Sequence, residues 1–514
     1  MHIDARTLPN GSVLEGDLCI VGAGAAGISI ALEWIGSRRK VLLLEGGGLE
    51  YEAAMQDLYR GESVGLPYYP LQAARLHYFG GTTGHWAGFC STLDPIDFEK
   101  REWVPHSGWP IRREELDPFY ARAQPLLELG PYEYDAGNWQ RRERTLVPLA
   151  LDPRVMWTKM WQFSPPTRFG ARYRGTVIGA PNVHLYTHAN VCELEANESL
   201  RAVEGLRIRT LDGKEHRARA RYYVVACCSI QNARLLLASN RQTPTGLGNA
   251  HDLVGRFFME HIEIPSGHLA LAPSHAVNTK LYAFEFGQTK ARGELALSAV
   301  VQREQRILNG TVSLEPGAPD EVAQSTFQWG TPDRLTAMRE RDVRGKAGPP
   351  PGLSEAPPTK SPRFFHLMTR QEQAPNPDSR VMLSAERDAL GMPRAKLNWR
   401  LTELDRRSFR VFYEVMGREL GRSGVGRVQM LDWVTREDET WPSSLSGGWH
   451  HMGTTRMHEN PRFGVVDANC RVHGMGNLYT AGASVYPTGG AANPTLTLVA
   501  LSLRLSDRLK RTLA

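Results

Sequence analysis

Cys19-Ile20-Val21-Gly22-Ala23-Gly24-Ala25-Ala26-Gly27 is the stretch that decides the fold. A short apolar run ends in a Gly-x-Gly-x-x-Gly turn, Ile28 to Ile35 continue with helical character, and a second apolar run, Val41 to Leu44, stops at Glu45. Strand, glycine turn, helix, strand and acid form the dinucleotide-binding unit of an α/β, Rossmann-like fold. Gly22, Gly24 and Gly27 let backbone approach a pyrophosphate, while the helix start offers unpaired N–H groups and the positive end of its dipole. Glu45 lies about 18 residues past Gly27, near the roughly 20 expected for an acid that accepts a ribose hydroxyl. Its charge repels a 2′-phosphate, which disfavours NADP. The pattern does not by itself choose between NAD and FAD.

A chain of 514 residues exceeds the size at which one core stops growing, so two domains are expected. Tyr222 to Ala226 and helical Asn232 to Ala238 repeat the strand–helix texture, which makes the nucleotide domain discontinuous: 12–100, 176–262 and 441–514. The remainder, 101–175 and 263–440, reads as a substrate-binding domain with a mainly antiparallel sheet and helices. Alternation over Glu294 to Val301 and Val381 to Leu383 marks its strands. Leu116, Phe119, Tyr120 and Ala123 form one side of a helix after the turn Ser107-Gly108-Trp109-Pro110. A Pro/Gly-rich insertion at about 315–362 reads as a loop bordering the substrate entrance or as a surface insertion.

Hydrophobic content of 41% and charged content of 23% describe an ordinary globular protein. The net charge of +6 is spread without a basic block, which argues against nucleic-acid binding. The six cysteines have neither metal-binding nor C-x-x-C spacing, and the vicinal Cys227-Cys228 reads as small buried thiols. With no apolar run approaching 18 residues and no leader-like start, a membrane span is not expected and a cytoplasmic location is.

Two further Gly-rich turns near the end carry chemistry: Gly448-Trp449-His450-His451-Met452-Gly453-Thr454 and Pro487-Thr488-Gly489-Gly490-Ala491-Ala492-Asn493-Pro494-Thr495. A histidine and a carboxamide on separate turns suit holding an alcohol and taking its proton. Their bland alternative is that His450 satisfies a buried turn and Asn493 caps the helix from Pro494 to Leu509, whose face Leu496, Val499, Ala500 and Leu503 packs on a sheet.

Four blocks in order, Val21 to Gly27, Gly80 to Trp86, Val224 to Ser239 and His450 to Asn493, resemble the glucose–methanol–choline (GMC) family of FAD-dependent oxidoreductases. The resemblance implies FAD as cofactor, with Gly22, Gly24 and Gly27 at its pyrophosphate, Glu45 at its ribose, and Gly81, Thr82, His85, Trp86, Gly482, Ala483, Asn493 and Thr495 around the flavin. Cys227-Cys228 departs from the Gly or Ala usual there. His85 matches a histidine that some relatives link covalently to the flavin. Others bind FAD without a bond, and that is the reading favoured here.

By the same resemblance His450 fits the H-x-x-G-T position of the catalytic base and Asn493 takes the second place. If His450 and His451 lie on a strand they point to opposite faces, and only one meets the substrate. Asn493 in place of a second histidine is similar to pyranose oxidases and bacterial glycoside 3-oxidases. The implied reaction is oxidation of a secondary hydroxyl of a pyranose sugar or glycoside, at carbon 3, with His450 as base. Oxidation of another alcohol, such as glucose at carbon 2 or an aliphatic or aryl alcohol, stays open, as does a hydroxynitrile lyase with structural FAD. Gln162, Thr167, Arg168 and His451 are candidate sugar contacts. Oxygen or another acceptor reoxidises the flavin, and a homo-oligomer is left open.

Overall fold

The computed structural model describes residues 1–275, 279–283, 291–317, 363–436, 438 and 440–513. Most of the expected 315–362 insertion therefore lies outside the described residues. Among the described residues no helix is long and apolar enough to cross a membrane.

The stretch around Val13–Val21 does form the centre of a parallel sheet. Its strands run in the order His2–Asp4, Val183–Thr187, Val41–Leu44, Val13–Val21 and Glu215–Val225, and Leu478–Thr480 joins Glu215–Val225 in parallel. Val203–Arg209 and Asn190–Ala196 extend it as an antiparallel flap. Cys19, Ile20, Leu42, Leu43, Val224 and Val225 are all fully buried, as strands covered on both faces must be. Helices Ala25–Trp34 and Pro494–Leu513 pack together over it. Leu496, Val499, Ala500 and Leu503 form the buried face expected of the last helix. The first strand, His2–Asp4, lies ahead of the boundary expected at 12.

A second sheet is antiparallel throughout, in the order Gly426–Met430, His261–Leu271, Phe364–Glu372, Gly310–Pro316, Ala291–Leu297, Met156–Phe163 and Phe89–Cys90. Its two faces differ by the period-2 alternation of side chains. Ile262, Ile264, Leu295, Val312, Leu314 and Leu367 pack on Phe409, Phe412, Tyr413 and Met416 of helix Glu403–Arg422. That helix starts where Asp405 accepts the N–H of Thr402 at 2.6 Å. Glu263, Arg292, Ser313, Glu315 and Arg370 occupy the other face and line a cavity shared with the parallel sheet.

Two local expectations are corrected. The strand expected over Glu294 to Val301 ends at Leu297, because Ser298 accepts the N–H of Val301 and caps helix Ala299–Gln305. Val381 and Leu383 do lie in a strand, Arg380–Arg387, but it pairs with Pro393–Asn398 in a separate three-stranded sheet completed by Gly61–Ser63. That sheet packs on helix Ser229–Ala238 of the parallel-sheet layer.

Candidate active site

The cavity opens at the carboxyl ends of the parallel strands, where ligands of such folds bind. Val21 to Ala26, Leu44 to Gly46, Ala226 to Ser229 and Ala481 to Ala483 line one side. Gly81, Thr82, His85 and Trp86 from one turn, and Trp449, His450, His451, Asn493 and Thr495 from the chain's last quarter, complete it.

The first glycine turn is built as a cradle. Gly22 has φ +101°, and a Cβ there would lie 2.7 Å from the Ala226 carbonyl oxygen, so only glycine lets these strand ends meet. A Cβ on Gly27 would sit 1.9 Å from the Gly22 oxygen, which makes Gly27 a packing residue that does not line the cavity. Around Gly24 there is open space, and this residue precedes helix Ala25–Trp34 without a side-chain cap. Bare first-turn N–H groups beside open space are what a pyrophosphate needs. Glu45 lines the same side, its carboxylate accepting the N–H groups of Ala23 and Gly47, each at 2.9 Å, while burial pushes its pKa up. Gly482, at φ +101°, likewise has open space where a Cβ would point.

His450 and Asn493 converge across 43 residues of chain: the Asn493 amide Nδ2 lies 3.0 Å from His450 Nε2. Trp161 on Met156–Phe163 donates its Nε1–H to Asn493 Oδ1 at 3.0 Å. An indole N–H only donates, so this contact orients the amide with its N–H2 toward His450. Both ends of the Asn493 side chain are thus engaged by Trp161 and His450, and the helix-cap alternative is not what the geometry presents. On its other edge, His450 Nδ1 lies 2.9 Å from Nδ1 of His261, with the rings edge-on at 76°. Burial, with the charges of His261, Arg370 and His451, holds the His450 pKa well below the ordinary histidine value.

His450 and His451 diverge, though not as neighbours on a strand. Strand Ser446–Gly447 has ended, and Trp449 turns the chain at φ +60°. The His450 N–H donates to Glu260 Oε2 at 2.7 Å. His451 turns instead to the Tyr68 hydroxyl at 2.8 Å, which also bonds Glu260. Burial pushes Glu260 up to about 8 and His451 down to about 3.

Gln162, Thr167 and Arg168 do not line the cavity. The Gln162 amide donates to the carbonyls of Pro131 and Glu133, and Thr167 bonds Glu128. Arg168 donates to the carbonyls of Thr83 and Trp86, bracing the Gly81–Trp86 turn from behind. Cys227 and Cys228, expected as buried thiols, are half-exposed to the cavity. A polar wall of the cavity comes from the antiparallel sheet, whose residues the sequence did not single out. There Arg370 donates to Glu263 at 2.8 Å, Arg292 to Glu294 at 2.6 Å, and Arg292 lies 3.3 Å from Glu315. His261 and Trp161 were also missed. The one sequence signal for His261 is a Glu-His pair inside the apolar run Phe257 to Ile264.

A dinucleotide cradle whose far end meets a histidine–carboxamide pair defines a flavin-dependent oxidoreductase. Residues 17–257 match the family described as FAD dependent oxidoreductase and residues 375–502 the family described as GMC oxidoreductase. The chain thus joins an FAD-dependent oxidoreductase domain to a GMC oxidoreductase C-terminal domain, and its cofactor is FAD. It is 27% identical to the 2-methyl-1,2-propanediol dehydrogenase of Mycolicibacterium austroafricanum, over 96% of this chain and 95% of that one. It is 25% identical to a C-glycoside 3-oxidase of Microbacterium trichothecenolyticum, over 91% and 79%. The crystal structure of a formate oxidase shares the fold at TM-score 0.57 and 16% identity, covering 98% of this chain and 99% of that one.

Proposed function

We propose that this enzyme oxidises a secondary hydroxyl of a pyranose sugar or glycoside, at carbon 3, to a keto group. The observation that carries the reading is the 3.0 Å approach of Asn493 Nδ2 to His450 Nε2, because a substrate hydroxyl that replaces this direct contact bridges those two atoms. Its O–H donates to His450 Nε2 and its oxygen accepts from the Asn493 amide. FAD, when bound, supplies the two-electron acceptor for the hydride on the alcohol carbon.

The residues of this chain do the rest. His450 Nε2 takes the hydroxyl proton, and its depressed pKa keeps the ring neutral and ready at physiological pH. The Asn493 N–H strengthens its hydrogen bond as negative charge builds on the substrate oxygen. Glu263, Ser313, Glu315, Arg292 and Arg370 line the same cavity, and such a mixture of donors and acceptors suits a ring carrying several hydroxyls. The relative named for C-glycoside 3-oxidation adds to the case for carbon 3. FAD is held by Gly22, Gly24 and Glu45 at one end and by Gly81, Thr82, Trp86, Gly482, Ala483 and Thr495 at the other. His85, buried against Trp449 at a ring separation of 5.1 Å, packs beside it without a bond, so acid-precipitated protein releases all its flavin to the supernatant.

Product analysis of a panel of glucose and glycosides under air tests the substrate. A 3-keto product is expected; oxidation only of simple diols, as the 2-methyl-1,2-propanediol dehydrogenase relative's name suggests, would replace the sugar reading with an aliphatic-alcohol one.

A further inference from the structure

His261 opens strand His261–Leu271 and is fully buried. Its Nε2 lies 2.8 Å from the carbonyl oxygen of Gly490, and its Nδ1 lies 2.9 Å from His450 Nδ1. A carbonyl oxygen only accepts, so His261 carries its proton on Nε2. In a neutral ring Nδ1 is then a lone pair, which leaves the His450 Nδ1 as the donor between the two rings. His450, also neutral, must carry its lone pair on Nε2. At the far end the same answer arrives independently, because Trp161 Nε1–H fixes Asn493 Oδ1 and turns the amide N–H toward that lone pair. Both rings are held neutral: burial and the nearby Arg370 guanidinium bring His261 down to about 4, and His450 is depressed too.

We propose that His261 is a positioning residue that selects the tautomer of His450, keeping Nε2 unprotonated and aimed at the substrate hydroxyl. The proposal rests on the reading of His450 as the base. An imidazole left to itself distributes its proton over both nitrogens, and a base with the proton on the reacting nitrogen is inactive. The chain Gly490 C=O, His261, His450, Asn493, Trp161 N–H has an obligate acceptor at one end and an obligate donor at the other, so only one arrangement satisfies every link. No proton travels along it. When His450 takes up the substrate proton it keeps donating through Nδ1 to His261, while the Glu263 carboxylate, 4.0 Å from the same nitrogen, offsets the new charge.

Two substitutions separate tautomer control from packing. An asparagine amide reaches the place where histidine carries Nδ1, and a glutamine amide reaches Nε2. His261→Asn therefore retains an acceptor for His450 and loses the Gly490 contact, while His261→Gln does the reverse. With holoenzyme of unchanged flavin content, kcat of His261→Gln should fall roughly tenfold or more with KM within about twofold. That loss should be the same at every pH above the acid limb, because the fault is the tautomer and not the charge. His261→Asn should recover most of the rate. A merely structural role at the Gly490 turn gives the opposite order, and His261→Gln matching the wild type overturns the proposal.

Should both variants be equally impaired, the 15N signals of histidine-labelled wild-type enzyme decide. A pyridine-like nitrogen is expected at Nε2 of His450 and Nδ1 of His261, and the reverse assignment refutes the tautomer selection. His450→Ala run alongside separates the two claims. Full activity in that variant removes the base itself, whereas an inactive His450→Ala beside a fully active His261→Gln removes only the role given to His261.

Discussion

Trp161 and Asn493 lie 332 positions apart, yet the indole N–H of one donates to the amide oxygen of the other at 3.0 Å. The strand Met156–Phe163 of the antiparallel sheet thereby reaches into the turn that precedes the last helix and orients its carboxamide. Trp161→Phe removes the donor while keeping most of the volume. A hydrogen bond of this kind is worth about 1 kcal/mol net, so flavin reduction should slow by roughly tenfold or less, with flavin content unchanged. Asn493→Ala should slow it further, toward 10²-fold, within the range that positioned acid–base groups contribute. Stopped-flow reduction under anaerobic conditions checks both, and an Asn493→Ala enzyme reduced at the wild-type rate would contradict the role given to the amide.

The pH profile carries its own test. Only neutral His450 accepts a proton, and its pKa is held below the ordinary ~6.5. The rate of flavin reduction should stay level as pH falls through 6.5 and decline only at more acidic values. An acid limb centred at or above 6.5 would mean the ring is not desolvated as the structure has it.

Glu260 predicts a stability trend of definite sign. Its pKa is pushed up to about 8 by burial, against ~4.3 in an unfolded chain. The folded state holds this proton more tightly, so the stability tied to it is full below ~4.3 and is lost as pH rises through about 8. Glu260→Gln keeps an acceptor for the His450 N–H and abolishes the titration. Its melting temperature should gain on that of the wild type steadily between pH 5 and 8, and a constant difference across that range would contradict the buried, protonated carboxyl.

Much of the parallel-sheet layer was legible in the sequence because its signals are local. The run Val41 to Leu44, the glycine turn after Val21 and the apolar face of Leu496, Val499, Ala500 and Leu503 each report on neighbours a few residues away. The pairing of His450 with Asn493 was legible only through two short turns. The polar wall was not, since Glu263, Arg292 and Arg370 on alternating strands read as a solvated face. Only the packing of the opposite face on helix Glu403–Arg422 turns those charges inward. Gln162, Thr167 and Arg168 show the converse: polar residues near Pro165 and Pro166 look available, but neighbouring backbone carbonyls or carboxylates engage each of them.

Glu263→Gln lies on the cavity wall and should raise KM for a sugar by several-fold, roughly 1 kcal/mol of binding. Gln162→Leu should leave KM alone and cost about 1–3 kcal/mol of stability by orphaning the Pro131 and Glu133 carbonyls. Steady-state kinetics together with thermal unfolding of the two variants would expose the reverse pattern if the substrate sat on the Gln162 side.

Anaerobic mixing of holoenzyme with a glycoside, followed at the ~450 nm flavin band, tests the central claim most directly. The wild-type band should fade, and in His450→Ala with full flavin content it should fade at least 10²-fold more slowly. Equal rates in the two proteins would contradict the assignment of His450 as the group that takes the substrate's proton.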